Sequence, residues 1–120
     1  MKVAITAQGP ELESEIDPRF GRARYFILVD TESGQFSVHD NRQNLAAPQG
    51  AGIQAGRAVV GLDASVLITG NVGPKAFDTL RAGGVRVYSG VSGVVKEAVA
   101  AFKAGGIEVV DRATVEGHWA

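Results

Sequence analysis

The hydrophobic pattern of this chain changes period once, across residues 44–52 (Asn-Leu-Ala-Ala-Pro-Gln-Gly-Ala-Gly), and that change decides what the chain can fold into. Before it the apolar residues are arranged as strands. Residues 2–7 are rich in small and β-branched types, residues 24–30 form a dense run of β-formers, and residues 35–40 alternate polar with apolar. After it, Ile53, Gly56, Val59 and Val60 share one face at helical spacing, and a strand over 66–69 follows. A second helix starts at Gly73-Pro74, with Pro74 suited to the first helical position, and ends at Gly83-Gly84 before a strand over 85–88. A third, capped by Ser92 or Gly93, carries the stripe Val94, Val95, Ala98, Val99 and Phe102 and closes at Gly105-Gly106 before Ile107, Glu108, Val109 and Val110. Residues 80–87 and 102–109 match at an offset of 22, which is one αβ linkage used twice rather than a solenoid.

Glu32-Ser33-Gly34 reads as a turn, so the second and third strands form a hairpin with the third at the solvent-facing margin. A hairpin joined to a βαβαβ core makes an α/β protein with a mixed sheet of about five strands and three helices packed on it. A chain of 120 residues is expected to form a single domain over 1–120. Residues 8–19, with Gly9, Pro10, Pro18 and four acidic residues but no apolar period, read as a long loop over one sheet edge. The last ten residues, with His118 and Trp119, show no pattern of their own.

Several chemistries are disfavoured at this level. Twelve Lys and Arg against thirteen Asp and Glu supply no overall attraction to nucleic acid or to an acidic membrane. No apolar run approaches the roughly 18 residues of a membrane span, and the apolar start is too short for a signal peptide, so a cytoplasmic protein is expected. With no cysteine there are no disulfides and no thiolate ligands. His39 and His118 stand far apart without a carboxylate cluster, and the first strand lacks the acids that a two-metal nuclease needs. No serine or threonine has a histidine in a recognisable motif, so no catalytic residue and no protein-ligated metal is assigned, and the protein is read as a non-enzyme.

What remains is glycine at one edge. Gln8-Gly9-Pro10, Gly70-Asn71-Val72-Gly73 and Ser89-Gly90-Val91-Ser92-Gly93 follow the first, fourth and fifth strands, at the carboxyl ends where open α/β sheets hold ligands. Gln49-Gly50-Ala51-Gly52 enters its helix at the same edge. Three glycine-rich helix entries would thus converge, each offering backbone N–H groups and a positive dipole end to an anion. The alternative stays open that short βα turns simply require glycine. No P-loop and no Gly-x-Gly-x-x-Gly is present, and Lys75 lacks the neighbouring hydroxyl of a nucleotide site.

Phe20-Gly21-Arg22-Ala23 before an aromatic strand, Gly50-Ala51-Gly52 opening a helix, Asp63 before a strand, Thr69-Gly70-Asn71-Val72-Gly73-Pro74 with Ala76 and Leu80, and Gly84-Val85-Arg86-Val87 resemble the dinitrogenase iron-molybdenum cofactor biosynthesis family. The resemblance covers nearly the whole chain. It implies a ribonuclease-H-like fold without nuclease activity, and the binding or carrying of a molybdenum-containing sulfide cluster that also holds copper or iron. Small single-domain members of similar size include one that carries a molybdenum-copper sulfide cluster without covalent attachment. Many relatives have histidine before Gly-Ala-Gly where this chain has Gln49, so the resemblance points to an anionic cluster that brings its own sulfides. Such a cluster needs N–H donors, apolar walls and cations. Arg19, Arg22 and Lys75 are candidates for charge and Phe20 and Val72 for walls; Gly9, Gly21, Gln49, Gly50, Ala51, Gly52, Gly70, Asn71, Gly73, Ser89 and Ser92 complete the candidate set. Arg22 in a surface ion pair and Phe20 as a core anchor are the plainer readings of those two residues. The expected partners are the cluster and a protein that delivers or receives it, with no nucleic acid and no membrane. A regulatory or interaction domain using the same loops for a phosphate-bearing ligand or a protein is the second reading.

Overall fold

The computed structural model describes residues 1–42 and 50–107. Gln49, most of the 44–52 junction, the expected strand residues Glu108, Val109 and Val110, and His118 and Trp119 lie outside them. The described residues form β1 (Lys2–Ala7), β2 (Tyr25–Asp30), β3 (Phe36–Asp40), α1 (Ala51–Gly61), β4 (Val66–Ile68), α2 (Pro74–Ala82), β5 (Arg86–Tyr88) and α3 (Val95–Lys103). The mixed five-stranded sheet and three helices expected of the pattern are present. The one shift at a cap is in α3, where Val94 in an extended conformation takes the N-cap position in place of Ser92 or Gly93.

The sheet runs β3-β2-β1-β4-β5, with β1 antiparallel to β2, β2 antiparallel to β3, and β1, β4 and β5 parallel. Both faces of the parallel strands are covered, which explains why β1 and β4 are apolar almost throughout. Ala4, Leu67 and Val87 face α1 and α2, where they pack with Ala55, Val59, Phe77 and Leu80. Val3, Ile5, Val66 and Ile68 face α3 and meet Val95 and Ala98. Tyr88 and Phe102 close that second layer edge-to-face, with ring centroids 5.2 Å apart. Each fully buried aliphatic side chain contributes about 1.5–3 kcal/mol of hydrophobic stabilisation, so both layers are needed in a chain of this size.

The hairpin is held by its turn. Asp30 Oδ1 accepts the N–H groups of Glu32 at 2.8 Å and Ser33 at 3.3 Å, and Gly34 takes the left-handed conformation at φ 77°. Those two N–H groups, Glu32 first, hold the Asp30 carboxyl below its ordinary range. As expected of a margin, β3 leaves Phe36 and Val38 exposed.

This topology positions the site. From β1 the chain turns toward β2, and from β4 it proceeds toward β5, so strand order reverses between β1 and β4. Their carboxyl ends therefore open into a crevice, the position where α/β sheets bind ligands.

Candidate functional site

The crevice is built on two threonines, Thr6 near the end of β1 and Thr69 just after β4. Thr6 and Thr69 are fully buried, with their hydroxyl oxygens 2.8 Å apart. Thr6 Oγ1 donates to the carbonyl of Asp17 at 2.8 Å, so its proton is committed and Thr69 is the donor between the pair. Asp17 N–H returns a bond to the Thr6 carbonyl at 2.9 Å. The buried Asp17 carboxylate then accepts the N–H groups of Arg19 at 3.0 Å and Arg24 at 3.3 Å. A buried carboxylate without donors would be costly, so these two bonds tie the loop's shape to the stability of the sheet beneath it.

Opposite strand ends complete the crevice. Asn71 N–H donates to the Pro18 carbonyl at 2.8 Å, Phe20 N–H donates to the Asn71 carbonyl at 3.1 Å, and Asn71 Nδ2 adds a second bond to Pro18 at 3.2 Å. Asn41, buried just after β3, donates through Nδ2 to the carbonyls of Ala23 at 2.8 Å and Gly21 at 3.3 Å. Gly21 is thereby pressed onto the start of α1, where a Cβ on it would stand 2.9 Å from both N and Cα of Gly52. Only glycine allows that approach without a shift.

Between these elements lies a cleft of about 380 Å³, walled by Pro18, Arg19, Phe20, Gly21 and Arg22 from the loop, Ala51 and Gly52 from α1, and Asn71, Gly73 and Ala76 from the β4–α2 junction. Among the described residues its walls carry two arginines and no acidic residue. The starts of α1 and α2 meet there: a Cβ on Gly52 would lie 3.2 Å from Ala76 Cβ. Neither helix has a side-chain cap or an acid in its first turn. At α1 the first backbone acceptance within the helix is Gln54 N–H to Gly50, so the N–H groups of Ala51, Gly52 and Ile53 have no acceptor among the described residues. At α2 Pro74 removes one donor and leaves those of Lys75 and Ala76.

The third helix start does not join them. The N–H groups of Val95 and Lys96 donate to Ser14 at 2.9 Å and Leu12 at 2.8 Å, and Glu97 occupies the first turn. Convergence is therefore of two helix entries, and residues 8–16 explain why: they cross to α3 and occupy its amides.

Of the residues singled out in the sequence, Arg19, Phe20, Gly21, Arg22, Ala51, Gly52, Asn71 and Gly73 line the cleft. The others do not. Gly9 packs against Ser14 in the 8–16 loop, where a Cβ would meet Ser14 Oγ at 2.6 Å. Gly50 caps α1 at φ 79° without lining the cleft. Gly70 lies under Pro18, with a Cβ position 2.6 Å from Pro18 Cα, and Val72 is a core residue. Lys75 is exposed on α2 outside the walls, and Ser92 is exposed ahead of α3. Ser89 is buried with a hydroxyl that has no partner among the described residues, away from the cleft. Phe20 is both wall and core anchor: 1% exposed, it packs on Phe26 at 5.7 Å between ring centroids.

Pro18 as a wall and Asp17, Thr6, Thr69 and Asn41 as supports went unread in the sequence. A signal existed in Asp17-Pro18, a turn-initiating pair, and in the threonines near the end of β1 and just after β4. Beside the cleft, and sharing Pro18, Arg19 and Arg22 with it, runs a broader open groove of about 520 Å³ that adds Gln8, Asp17 and Arg24.

Among the described residues no three His, Asp or Glu side chains gather as a metal site, and no helix is long and apolar enough to cross a membrane. Fold and cleft together define an α/β protein with a crevice walled by glycine and arginine at the reversal of strand order. The chain belongs to the dinitrogenase iron-molybdenum cofactor family, whose model matches residues 1–105. It is similar to the apo form of the orange protein from Desulfovibrio gigas, at 38% identity over 95% of this chain and 96% of that one, with a TM-score of 0.93. A NifB-like protein from Thermotoga of the DUF35 family is 41% identical over 95% of this chain and 97% of its own, with a TM-score of 0.82. An uncharacterized protein from Methanocaldococcus jannaschii is 26% identical over 90% of each chain.

Proposed function

We propose that this protein is a cytoplasmic, single-domain, non-enzymatic binder and carrier of a molybdenum-containing metal-sulfide cluster, with copper or iron as the second metal, held without covalent attachment in the cleft. The observation that carries the reading is the wall itself: among the described residues it has two arginines, uncapped helix starts and no acidic side chain. Metal-sulfide clusters that bring their own ligands are anions, and this wall suits an anion while offering no thiolate or histidine to displace a sulfide. The family's description and the likeness to a protein known in an apo form support a cluster as the cargo.

In that reading Ala51, Gly52 and Ile53 donate backbone N–H groups, and Arg19 and Arg22 neutralise charge at the mouth. Phe20, Pro18 and Ala76 supply apolar contact. Gly21 and Gly52 keep the walls close enough for main chain, rather than side chains, to meet the cluster. The protein's task is to exclude water and hold the cluster intact until a second protein takes it.

The test is uptake. Apo-protein mixed anaerobically with tetrathiomolybdate and copper(I), then desalted, is expected to retain molybdenum in a fixed ratio to protein and to show a visible charge-transfer band. Replacing both arginines (Arg19→Gln with Arg22→Gln) is expected to weaken retention by roughly tenfold or more, since a hydrogen bond to a charged group is worth about 1.5–3 kcal/mol. A colourless protein without molybdenum would overturn the reading.

A further inference from the structure

The open groove beside the cleft has a different chemistry from the cleft. Among the described residues it is lined by Gln8, Pro18, Arg19, Arg22 and Arg24 around the largely buried Asp17, with no helix start. A small anion would find nothing there to enclose it. What the groove offers is arginine, with Arg19 largely exposed, and a guanidinium group pairs bidentately with a carboxylate.

These cations are placed rather than incidental. Asp17 fixes the backbone of Arg19 and Arg24 through its two carboxylate oxygens, at 3.0 and 3.3 Å. The Arg24 guanidinium lies 5.8 Å from the Tyr25 ring centroid and makes no ion pair among the described residues. Arg19 keeps 68% of its side chain exposed, with Nε 3.9 Å from Asp17. None of the loop's other acids, Glu11, Glu13 and Glu15, lines the groove. The groove thus gathers three arginines around one carboxylate in a chain whose formal net charge is -1.

We propose that this groove is the docking surface for an acidic polypeptide segment, carrying several Asp or Glu residues, on the protein that exchanges cargo with the cleft. Because groove and cleft share Pro18, Arg19 and Arg22, a segment seated in the groove lies against the mouth of the cleft. The inference rests on the proposed function only for what is exchanged; docking is measurable without cargo.

The experiment follows backbone amide shifts of the ¹⁵N-labelled full chain on titration with a hexaglutamate peptide, with inorganic phosphate and phosphatidylserine vesicles as separate probes. The peptide is expected to move the amides of Gln8, Arg19 and Arg24, with affinity falling roughly tenfold between about 20 and 200 mM salt. Arg24→Glu is expected to abolish binding and Arg24→Gln to weaken it, while both retain thiomolybdate as the parent does, since Arg24 is not a wall of the cleft. Peptide binding untouched by either substitution, shifts confined to other surfaces, or saturation by phosphate or vesicles but not by peptide would overturn the proposal. Peptide docking by a parent chain that retains no molybdenum would sink the cluster reading and leave the acidic-segment surface standing.

Discussion

Phe20→Ala is expected to lower the free energy of unfolding by about 3–5 kcal/mol, a large share of the roughly 5–15 kcal/mol that holds a domain together. The reason is position. Phe20 is 1% exposed, joins the layer formed by Ala4, Val59, Leu67, Phe77 and Leu80, and stacks at a 37° tilt on Phe26. Its backbone is pinned by the bond to Asn71, so the loop cannot readily sink to fill the hole. Because the same residue lines the cleft, the truncation would also remove apolar wall, and cluster retention is expected to fall even at temperatures where the variant is folded. Urea titration followed by circular dichroism measures the first effect and molybdenum retained after desalting the second. Phe20→Leu should recover most of the stability but only part of the retention; if it restores both fully, Phe20 is a core anchor alone.

Gly21→Val is the second large effect, and it works in the opposite way, by filling rather than emptying. Any Cβ at this position stands 2.9 Å from backbone atoms of Gly52 and 3.2 Å from the Ala51 carbonyl carbon. Backbone at a helix start cannot rotate away as a side chain can, so either the loop lifts off α1 or α1 shifts. Overpacking of this kind costs about 1–3 kcal/mol. The larger consequence is at the site, because the wall that brings arginine, apolar surface and helix amides together is this contact. Cluster retention is expected to drop by at least tenfold, or about 1.4 kcal/mol or more, while the far-ultraviolet spectrum stays that of a folded α/β protein. Gly50→Val makes a useful comparison: it strains a left-handed residue at φ 79° while its Cβ meets no described residue beyond its chain neighbours within 4 Å, so its effect should be on stability more than on retention.

The elements that were legible in the sequence are those set by local chemistry. Pro74 at a helix start, Asp30 to Gly34 as a hairpin turn, and the apolar runs of β1 and β4 each follow from residues that act on their immediate neighbours. The cleft was legible in outline for the same reason: glycine after parallel strands and before helices is a local signal, and topology brings such loops to one edge.

The details that differed depend on long-range contact. Gly70-Asn71-Val72-Gly73 read as a uniform lining, yet Asn71 and Gly73 reach the cleft while Gly70 packs under Pro18 and Val72 joins the core. Three helix entries looked equivalent until Ser14 and Leu12 were seen to occupy the amides of the third. Asp17 is one of four loop acids and is made distinct by its burial and its bonds to the Arg19 and Arg24 amides, and Lys75 lies on α2 outside the cleft's described lining.

The central claim is that the anion sits where α1 and α2 begin, against the 18–22 loop. The measurement that tests it most directly is amide-resolved NMR of the ¹⁵N-labelled apo chain before and after anaerobic addition of thiomolybdate and copper(I). The expected result is that the signals of Gly21, Ala51, Gly52 and Asn71 move together with cluster uptake, while those of Val95 and Lys96, whose amides are already bonded within the protein, stay in place. Uptake accompanied by shifts at the start of α3 or along β3, with the signals of Gly21 and Gly52 unchanged, would contradict it.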